Sequence, residues 1–347
     1  MKKYLISGLP LCGKLTGIPR SMLEILLHLD NLITSLSEDI EITICYPSDC
    51  KFSDEKFYNI KVISLERGKK KWLPQVVVPY ANKNGQTICD MADGFCFQKG
   101  GIVKYDDVRP AVAKFDSFRV RVEFYLKLIF AWFNASVIVT VSESQKQQLQ
   151  RLLPGKRVVY FPNGYSQLDR FISDKSIFTR FPKIKIGEYY YCIGSIAKHK
   201  NFKWIYEVAL RNPQKQFVVA GNQNLKKWGI EANSIQAKNI IYVGFVSDDE
   251  NKALYENCKL LLHPSLYEGF GMPPLEAVSL GKDIAVSRLP EFYEVYGDNI
   301  SYIDPYNFDF DLDNVKHLSD DIRKRILAKY TWENCAKGWL NLLLSNS

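Results

Sequence analysis

Residues 262–281 read LHPSLYEGFGMPPLEAVSLG and constrain the fold of this chain more than any other stretch. The apolar run at 258–263 (CKLLLH) suits a strand buried on both faces of a parallel sheet. Pro264 and Ser265 end it. A glycine-interrupted loop then leads to a helix whose first turn accepts Pro273 and Pro274, because the missing N–H groups have no intrahelical partner there. Leu275, Glu276, Ala277, Val278 and Leu280 continue the helix, and Gly281 is placed to cap it. Strand, loop and helix in this order form one βα unit of a wound sheet. The backbone N–H groups of Phe270, Gly271 and Met272 gather at the positive end of that helix, which favours anions and phosphate above all. Glycine lets a ligand approach the backbone closely. Seven residues separate Glu268 from Glu276. With Glu276 in the first helical turn and Glu268 just before it, both carboxylates turn to one cleft, where each can accept hydrogen bonds from vicinal hydroxyls. The stretch by itself describes a site for a hydroxyl-rich, phosphorylated ligand. The plainer reading is that an acid near a helix N-terminus simply stabilises the helix.

The remainder of the chain repeats the βα alternation twice. Strands are expected over 4–8, 40–46, 61–65, 137–141 and 157–161, with a helix over 19–30 and another led by Ser142, a good N-cap. The pattern restarts with strands over 189–194, 216–221, 240–243, 258–263 and 283–287 and helices over 202–210 and 248–258. Two such halves predict an α/β protein of two doubly wound domains, joined in the irregular, charged stretch 166–188. Ligands of such sheets bind outside the carboxyl ends of the strands. The informative loops therefore follow Gly8, Gly194, Val243 and His263. SGLPLCGKLTG is neither a Walker loop nor a dinucleotide fingerprint, and by itself reads as an ordinary strand-to-helix turn.

At 347 residues, two domains of ordinary size are expected. A net charge of +8 is too modest to indicate nucleic-acid binding, and suits a phosphorylated substrate or an anionic membrane surface equally. The eight cysteines include no CxxC pair, and no histidine spacing resembles a zinc site. They read as free thiols of a reducing cytoplasm, with Cys89 and Cys96 the one ambiguous pair. MKKYLISG reads as a first strand and not a leader. The apolar stretch 124–141 is interrupted by Lys127 and Asn134 and divides into a helix end and a strand.

These residues resemble the retaining glycosyltransferases of family 4. The resemblance runs nearly end to end: TGIPRSMLEIL, VIVTVSESQKQQL, FPNGY, IGSIAKHKNF, VGFVSDDENKALYENC, HPSLYEGFGMPPLEAVSLGK, SRLPEFYEVYGDNISYIDP and YTWENCAKGWL follow in the family's order. It implies the GT-B fold, two Rossmann-like domains facing a cleft. Residues 1–170 would form the acceptor-side domain and 171–327 the nucleotide-sugar domain, with the helix in 328–347 crossing back to the first. It also implies transfer of a hexose-type sugar from a UDP or GDP donor with retention, and no metal or other cofactor. Glu276 would hold the ribose hydroxyls and Glu268 the donor sugar. Phe270, Gly271 and Met272 would touch sugar and phosphates, with Leu275 beside them. Lys200 would neutralise the diphosphate, Gly17 would let the first-domain loop close on it, and Phe245 and Val246 would flank the base. Gly194 belongs to the same donor site. Many members carry arginine after this glycine; here it is Ser195, which shifts phosphate neutralisation to Lys200 with Lys198 or Arg20. Where many carry His-Asp, this chain has Asp106-Asp107, a pair that could bind acceptor hydroxyls or share a proton, or could be solvated loop charge.

The implied setting is surface polysaccharide (O-antigen or capsule-like) biosynthesis on a glycan or lipid-linked oligosaccharide, in the cytoplasm or at the inner face of its membrane, with no nucleic-acid partner. Residues 111–132 mix Lys114, Arg119, Arg121 and Lys127 with Phe115, Phe118, Phe124, Tyr125 and Trp132. If helical, they form either a surface for anionic headgroups or an ordinary helix with a solvated basic face. Two other functions remain open at this point: a sugar-nucleotide epimerase on the same plan, and a catalytically silent nucleotide-sugar binder.

Overall fold

The computed structural model describes residues 1–35, 39–195, 197–221 and 237–346. The chain forms two compact units, one of Met1–Asn163 with Thr331–Ser347 and one of Gly164–Tyr330. The first contains β1 (Lys2–Ser7), β2 (Ile40–Pro47), β3 (Lys61–Leu65), β4 (Thr87–Asp90), β5 (Gly101–Lys104), β6 (Ala135–Thr140) and β7 (Val158–Tyr160). They pair in parallel in the order β3-β2-β1-β4-β5-β6-β7. The second contains β8 (Tyr189–Ile193), β9 (Gln216–Ala220), β10 (Ile240–Gly244), β11 (Leu260–His263), β12 (Ile284–Ser287) and β13 (Ser301–Ile303). Their order is β10-β9-β8-β11-β12-β13, again wholly parallel. Each sheet reverses its winding once, between β1 and β4 and between β8 and β11. Loops that diverge from such a switch point open a crevice at the carboxyl ends of the strands. In the second unit these are the loops after Ile193 and His263.

Buried strands of a parallel sheet must be apolar on both faces or satisfy their polar atoms. In β8 the side chains of Tyr189, Tyr190 and Tyr191 are all fully buried. Their hydroxyls donate to Leu254 O (2.6 Å), Leu312 O (3.3 Å) and Asn251 Oδ1 (2.7 Å). The strand thereby anchors surrounding segments without leaving an orphaned hydroxyl in the core. Phe202, Trp204 and Ile205 of the following helix, Phe202–Arg211, share a core cluster with Tyr190 and Cys192 of β8.

The join between units falls at Asn163/Gly164, ahead of the 170/171 division that the family resemblance implies. The short 3-10 turn Ser166–Arg170 belongs to the second unit because Gln167 bonds Glu276 and Leu168 O accepts from Lys252 Nζ at 3.1 Å. The return falls at Tyr330/Thr331 and not at 327/328. The Tyr330 ring packs 5.8 Å from that of Phe270 in the second unit. The helix Trp332–Ser345 belongs to the first unit and packs on the helix Ile18–Leu32. The Tyr4 hydroxyl donates to Leu343 O at 2.7 Å, and Lys2 Nζ donates to Leu344 O and Asn346 O. Gly338 is required in this helix, because a Cβ there would come within 2.5 Å of the Phe161 ring.

Residues 111–132 are not one helix. A short turn, Arg109–Val112, is followed by a break, and the helix Phe118–Asn134 starts afresh from Ser117, whose Oγ accepts from Val120 N. It ends where β6 begins, dividing the apolar stretch 124–141 as its composition suggests. All eight cysteines are free, and Cys89 and Cys96 are buried thiols. Among the described residues no helix is long and apolar enough to cross a membrane.

Candidate active site

At its switch point the second unit brings Lys200, His263 and Glu268 together. β8 ends at Ile193, and the loop beyond Gly194 leads to the 3-10 turn Lys198–Lys200. Asn201 follows in the left-handed region (φ 53°), which turns the chain into the next helix. β11 ends at His263, and the loop beyond it carries Glu268. Lys200 Nζ lies 2.7 Å from Glu268 Oε1, and His263 Nε2 lies 2.8 Å from the same oxygen. Ser265 Oγ is 3.1 Å from His263 Nε2. Glu268 is 8% exposed and His263 3%, so the cluster is almost closed to solvent.

Burial alone would push the Glu268 carboxyl upward. The Lys200 ammonium and the hydrogen bond from His263 outweigh it and hold the carboxyl well below the usual range. Burial pushes His263 downward, and the carboxylate only partly offsets this. The imidazole is therefore neutral at pH 7 and donates its Nε2 proton to Glu268. The result is a buried carboxylate kept ionised and fixed in direction, beside a cation. Such a group can accept hydrogen bonds from hydroxyls, and the ammonium can neutralise a developing anion.

Glu276 sits elsewhere than expected. The helix Met272–Ser279 begins at Gly271, so Glu276 lies beyond its first turn, which contains no acidic residue. Its carboxylate accepts from Gln167 Nε2 through Oε1 and from the Tyr255 hydroxyl through Oε2 at 2.8 Å. It is 8% exposed. Gly271 has φ 90°, and a Cβ there would lie 2.2 Å from the Phe292 ring. Both conditions demand glycine. The helix ends on Gly281 (φ 78°) with Gly281 N donating to Val278 O and Lys282 N to Ala277 O, the expected glycine cap.

The other expected donor contacts divide by environment. Phe245 is 64% exposed and Val246 partly exposed at the exit of β10. Just beyond them Ser247 and Glu250 cap the next helix reciprocally. Ser195 is exposed and Met272 half-buried. The Phe270 side chain is buried and Leu275 is fully buried, so their side chains serve the core and only their backbones are left for a ligand. Gly194 faces Gly221, where a Cβ would lie 2.1 Å from the Gly194 carbonyl oxygen. His263, Ser265, Gln167 and Tyr255 were not anticipated.

In the first unit Gly17 is the N-cap of Ile18–Leu32, at φ 53°, and a Cβ there would meet nothing within 4 Å. Arg20 lies in the first turn of that helix. Beyond β5, Asp106 pairs with the fully buried Lys104, whose Nζ also donates to Ser21 Oγ at 2.9 Å. Asp107 instead pairs with Arg109 at 2.8 Å, and Arg109 also reaches Asp116. The two neighbouring aspartates therefore diverge to different cations. Beside Asp106 lies Asp93, whose carboxyl burial and then the Asp106 charge push well above the usual range. Asp93 Oδ1 accepts from Asp106 N at 2.8 Å.

Two doubly wound parallel domains with a helix returned to the first are the GT-B plan. Sucrose-phosphate synthase of Thermosynechococcus elongatus has the same fold, with a TM-score of 0.72 at 13% identity over 99% of this chain and 98% of that one. So does the Anabaena protein HepE, solved in complex with UDP and glucose, at TM-score 0.67 and 13% identity over 99% and 100%. The glycosyl transferases group 1 family model matches residues 145–336, and the chain belongs to that family. It is similar to the serotype-specific mannosyltransferase WbdA of Escherichia coli, 27% identical over 65% of this chain and 31% of that protein. It is also similar to the O-antigen chain mannosyltransferase B of Escherichia coli, 26% identical over 60% of each. The matched part thus spans less than two thirds of either relative's length.

Proposed function

We propose that the chain is a retaining glycosyltransferase that moves a hexose, with mannose the first candidate, from a nucleoside diphosphate donor to a glycan or lipid-linked oligosaccharide in surface polysaccharide biosynthesis. The observation that carries this is the ionised, buried Glu268 held by Lys200 and His263 at the carboxyl ends of β8 and β11. Family membership and the names of the two mannosyltransferases support the reaction class and the sugar. The base is uridine or guanosine.

In this reading Glu276 accepts from the ribose hydroxyls, and Gln167 and Tyr255 fix its direction. Glu268 accepts from hydroxyls of the donor sugar. As the sugar–phosphate bond breaks, the leaving diphosphate gains negative charge, and Lys200 together with the backbone N–H groups of 270–272 stabilises it. Positive charge supplied this way replaces a metal ion. Phe245 and Val246 flank the base, Gly194 and Ser195 border the phosphates, and Gly17 and Arg20 belong to the same reaction from the first unit. Asp106 and Asp107 serve the acceptor side. The site is cytoplasmic, with the acceptor presented at the inner face of the membrane.

A panel of UDP- and GDP-sugars, scored by the rise in Tm, identifies the donor, because a ligand bound only by the folded state stabilises it. Incubation with that donor then separates reaction classes. Slow release of free nucleotide, with an α-linked product from an α-linked donor once acceptor is supplied, is the expected result. An isomerised donor would make the chain an epimerase, and binding without either product a silent binder.

A further inference from the structure

The helix Phe118–Asn134 buries only one narrow face, through Phe124, Leu128 and Ala131. A surface helix ordinarily turns charged residues to solvent on its other side. This one does not. At 100° per residue, Phe118, Val122, Leu126, Ile129, Trp132 and Phe133 fall on a single solvent-facing arc, and all are exposed, Phe118 at 81% and Phe133 at 67%. No charged residue lies within the arc. Arg119 borders it on one side and Arg121 on the other, while Glu123 and Lys127 pair off beyond it at 3.2 Å. A groove of about 280 Å³ adjoins the arc, lined by Leu128, Ile129, Trp132 and Phe133 of the helix and by residues 152–154.

We propose that this helix is an interfacial membrane anchor, lying in the plane of an anionic bilayer with the apolar arc among the upper acyl chains. The pattern of residues selects a lipid surface as occupant. A contiguous apolar patch of this kind on a monomer marks an interaction site. Aromatic side chains and long cations at the edges of the apolar arc place the helix at headgroup depth, where arginine meets lipid phosphate. Two copies of the chain joined through this face would bring their arginines to one seam, and the arc carries no acidic residue to answer them. The inference deepens the reading that the acceptor is presented at a membrane and rests on it for its purpose. Its test is made without donor, so its failure leaves the nucleotide-release experiment untouched.

The test is co-sedimentation of the full chain with vesicles of phosphatidylcholine, alone or with roughly one third phosphatidylglycerol. Binding to the anionic vesicles is expected, weakening as salt rises. Phe118→Ser with Phe133→Ser should reduce it by about tenfold or more, and Arg119→Glu should weaken binding to anionic vesicles alone. Should that double variant lose its wild-type melting curve, Val122→Ser with Leu126→Ser takes its place on the same arc. Brominated acyl chains should quench wild-type fluorescence more than that of Trp132→Phe. The proposal is overturned if the wild-type chain stays with the supernatant, if binding ignores the apolar substitutions in a folded variant, or if those substitutions dissolve a dimer in sedimentation velocity while vesicles go unbound.

Discussion

A buried carboxylate with two partners on one oxygen is sensitive to losing either. Lys200→Met leaves Glu268 as an uncompensated charge and should destabilise the second unit by about 3–5 kcal/mol, as for other broken buried pairs. Adding Glu268→Gln removes the orphaned charge and should restore much of that loss. Urea unfolding of the two variants side by side checks this, and equal stability of single and double variants would refute the assigned charge state. The pH dependence has a definite sign. Both groups have depressed folded pKa values, so the stability each contributes is present above its unfolded pKa and lost as pH falls through the folded value. For His263 the decline begins below about 6.5, and for Glu268 below about 4.3. His263→Gln should therefore flatten the Tm profile just below about pH 6.5 and leave the steeper acid limb in place. Glu276→Ala should weaken nucleotide binding while Glu268→Ala mainly slows transfer, measured as donor Kd against turnover. Both glutamates were legible in the sequence because glycines, prolines and a strand end surround them. Their partners were not. Gln167 and Tyr255 reach Glu276 from distant segments, and nothing local distinguishes such a tyrosine from core. For His263 the sequence carries one signal, a histidine closing an apolar strand five residues before an acid.

At the scale of elements, the site depends on turns that tolerate one residue type. Gly271→Ala combines a positive φ with a Cβ driven into the Phe292 ring. It should cost a few kcal/mol, on the order of 2–4, and abolish the rise in Tm on adding donor. Trimming the obstacle with Phe292→Leu relieves the clash but not the backbone strain, so the double variant should recover only part of the Tm. Full recovery would show that φ at this position is unimportant. The same elements explain what periodicity could and could not reveal. The alternation of β2 (IEITICYP) and the apolar run of β6 stand out between polar segments. β4 (TICD), β5 (GIVK) and β13 (SYI) hold two apolar residues each, too few to stand out, whereas the equally short β7, β11 and β12 hold three in a row. The break at 113–117 was hidden because aromatic and basic residues continue on both sides of it. Pro273 and Pro274 both fit a first turn, and only the Gly271 backbone fixes the start at Met272, one residue too early for Glu276 to fall within that turn.

At the scale of the whole molecule, the first unit is discontinuous in sequence, completed by Trp332–Ser345 lying on Ile18–Leu32. Gly338→Val should disturb that unit specifically, by about 1–3 kcal/mol, because the added carbons meet the Phe161 ring beside Trp339. Hydrogen exchange should show faster opening in β1 and β7 with no change in β8 or β11. The two-domain plan was readable because the βα rhythm stops and restarts. The points of division were not, since they depend on Gln167 and Tyr330 bonding or packing within the second unit. This interleaving also orders events during synthesis. Residues 331–345 leave the ribosome only after every strand of the second unit has been made. The first unit must therefore wait, with the apolar face of its opening helix uncovered, while the second can already close. A chain truncated after Tyr330 should hold a finished second unit beside an unfinished first one, sensitive to protease and dependent on chaperones. Lys2 reaches Leu344 O and Asn346 O, so a short linker joining these ends, with new termini opened at 163/164, would give a permutant in which the first unit is continuous and no longer waits.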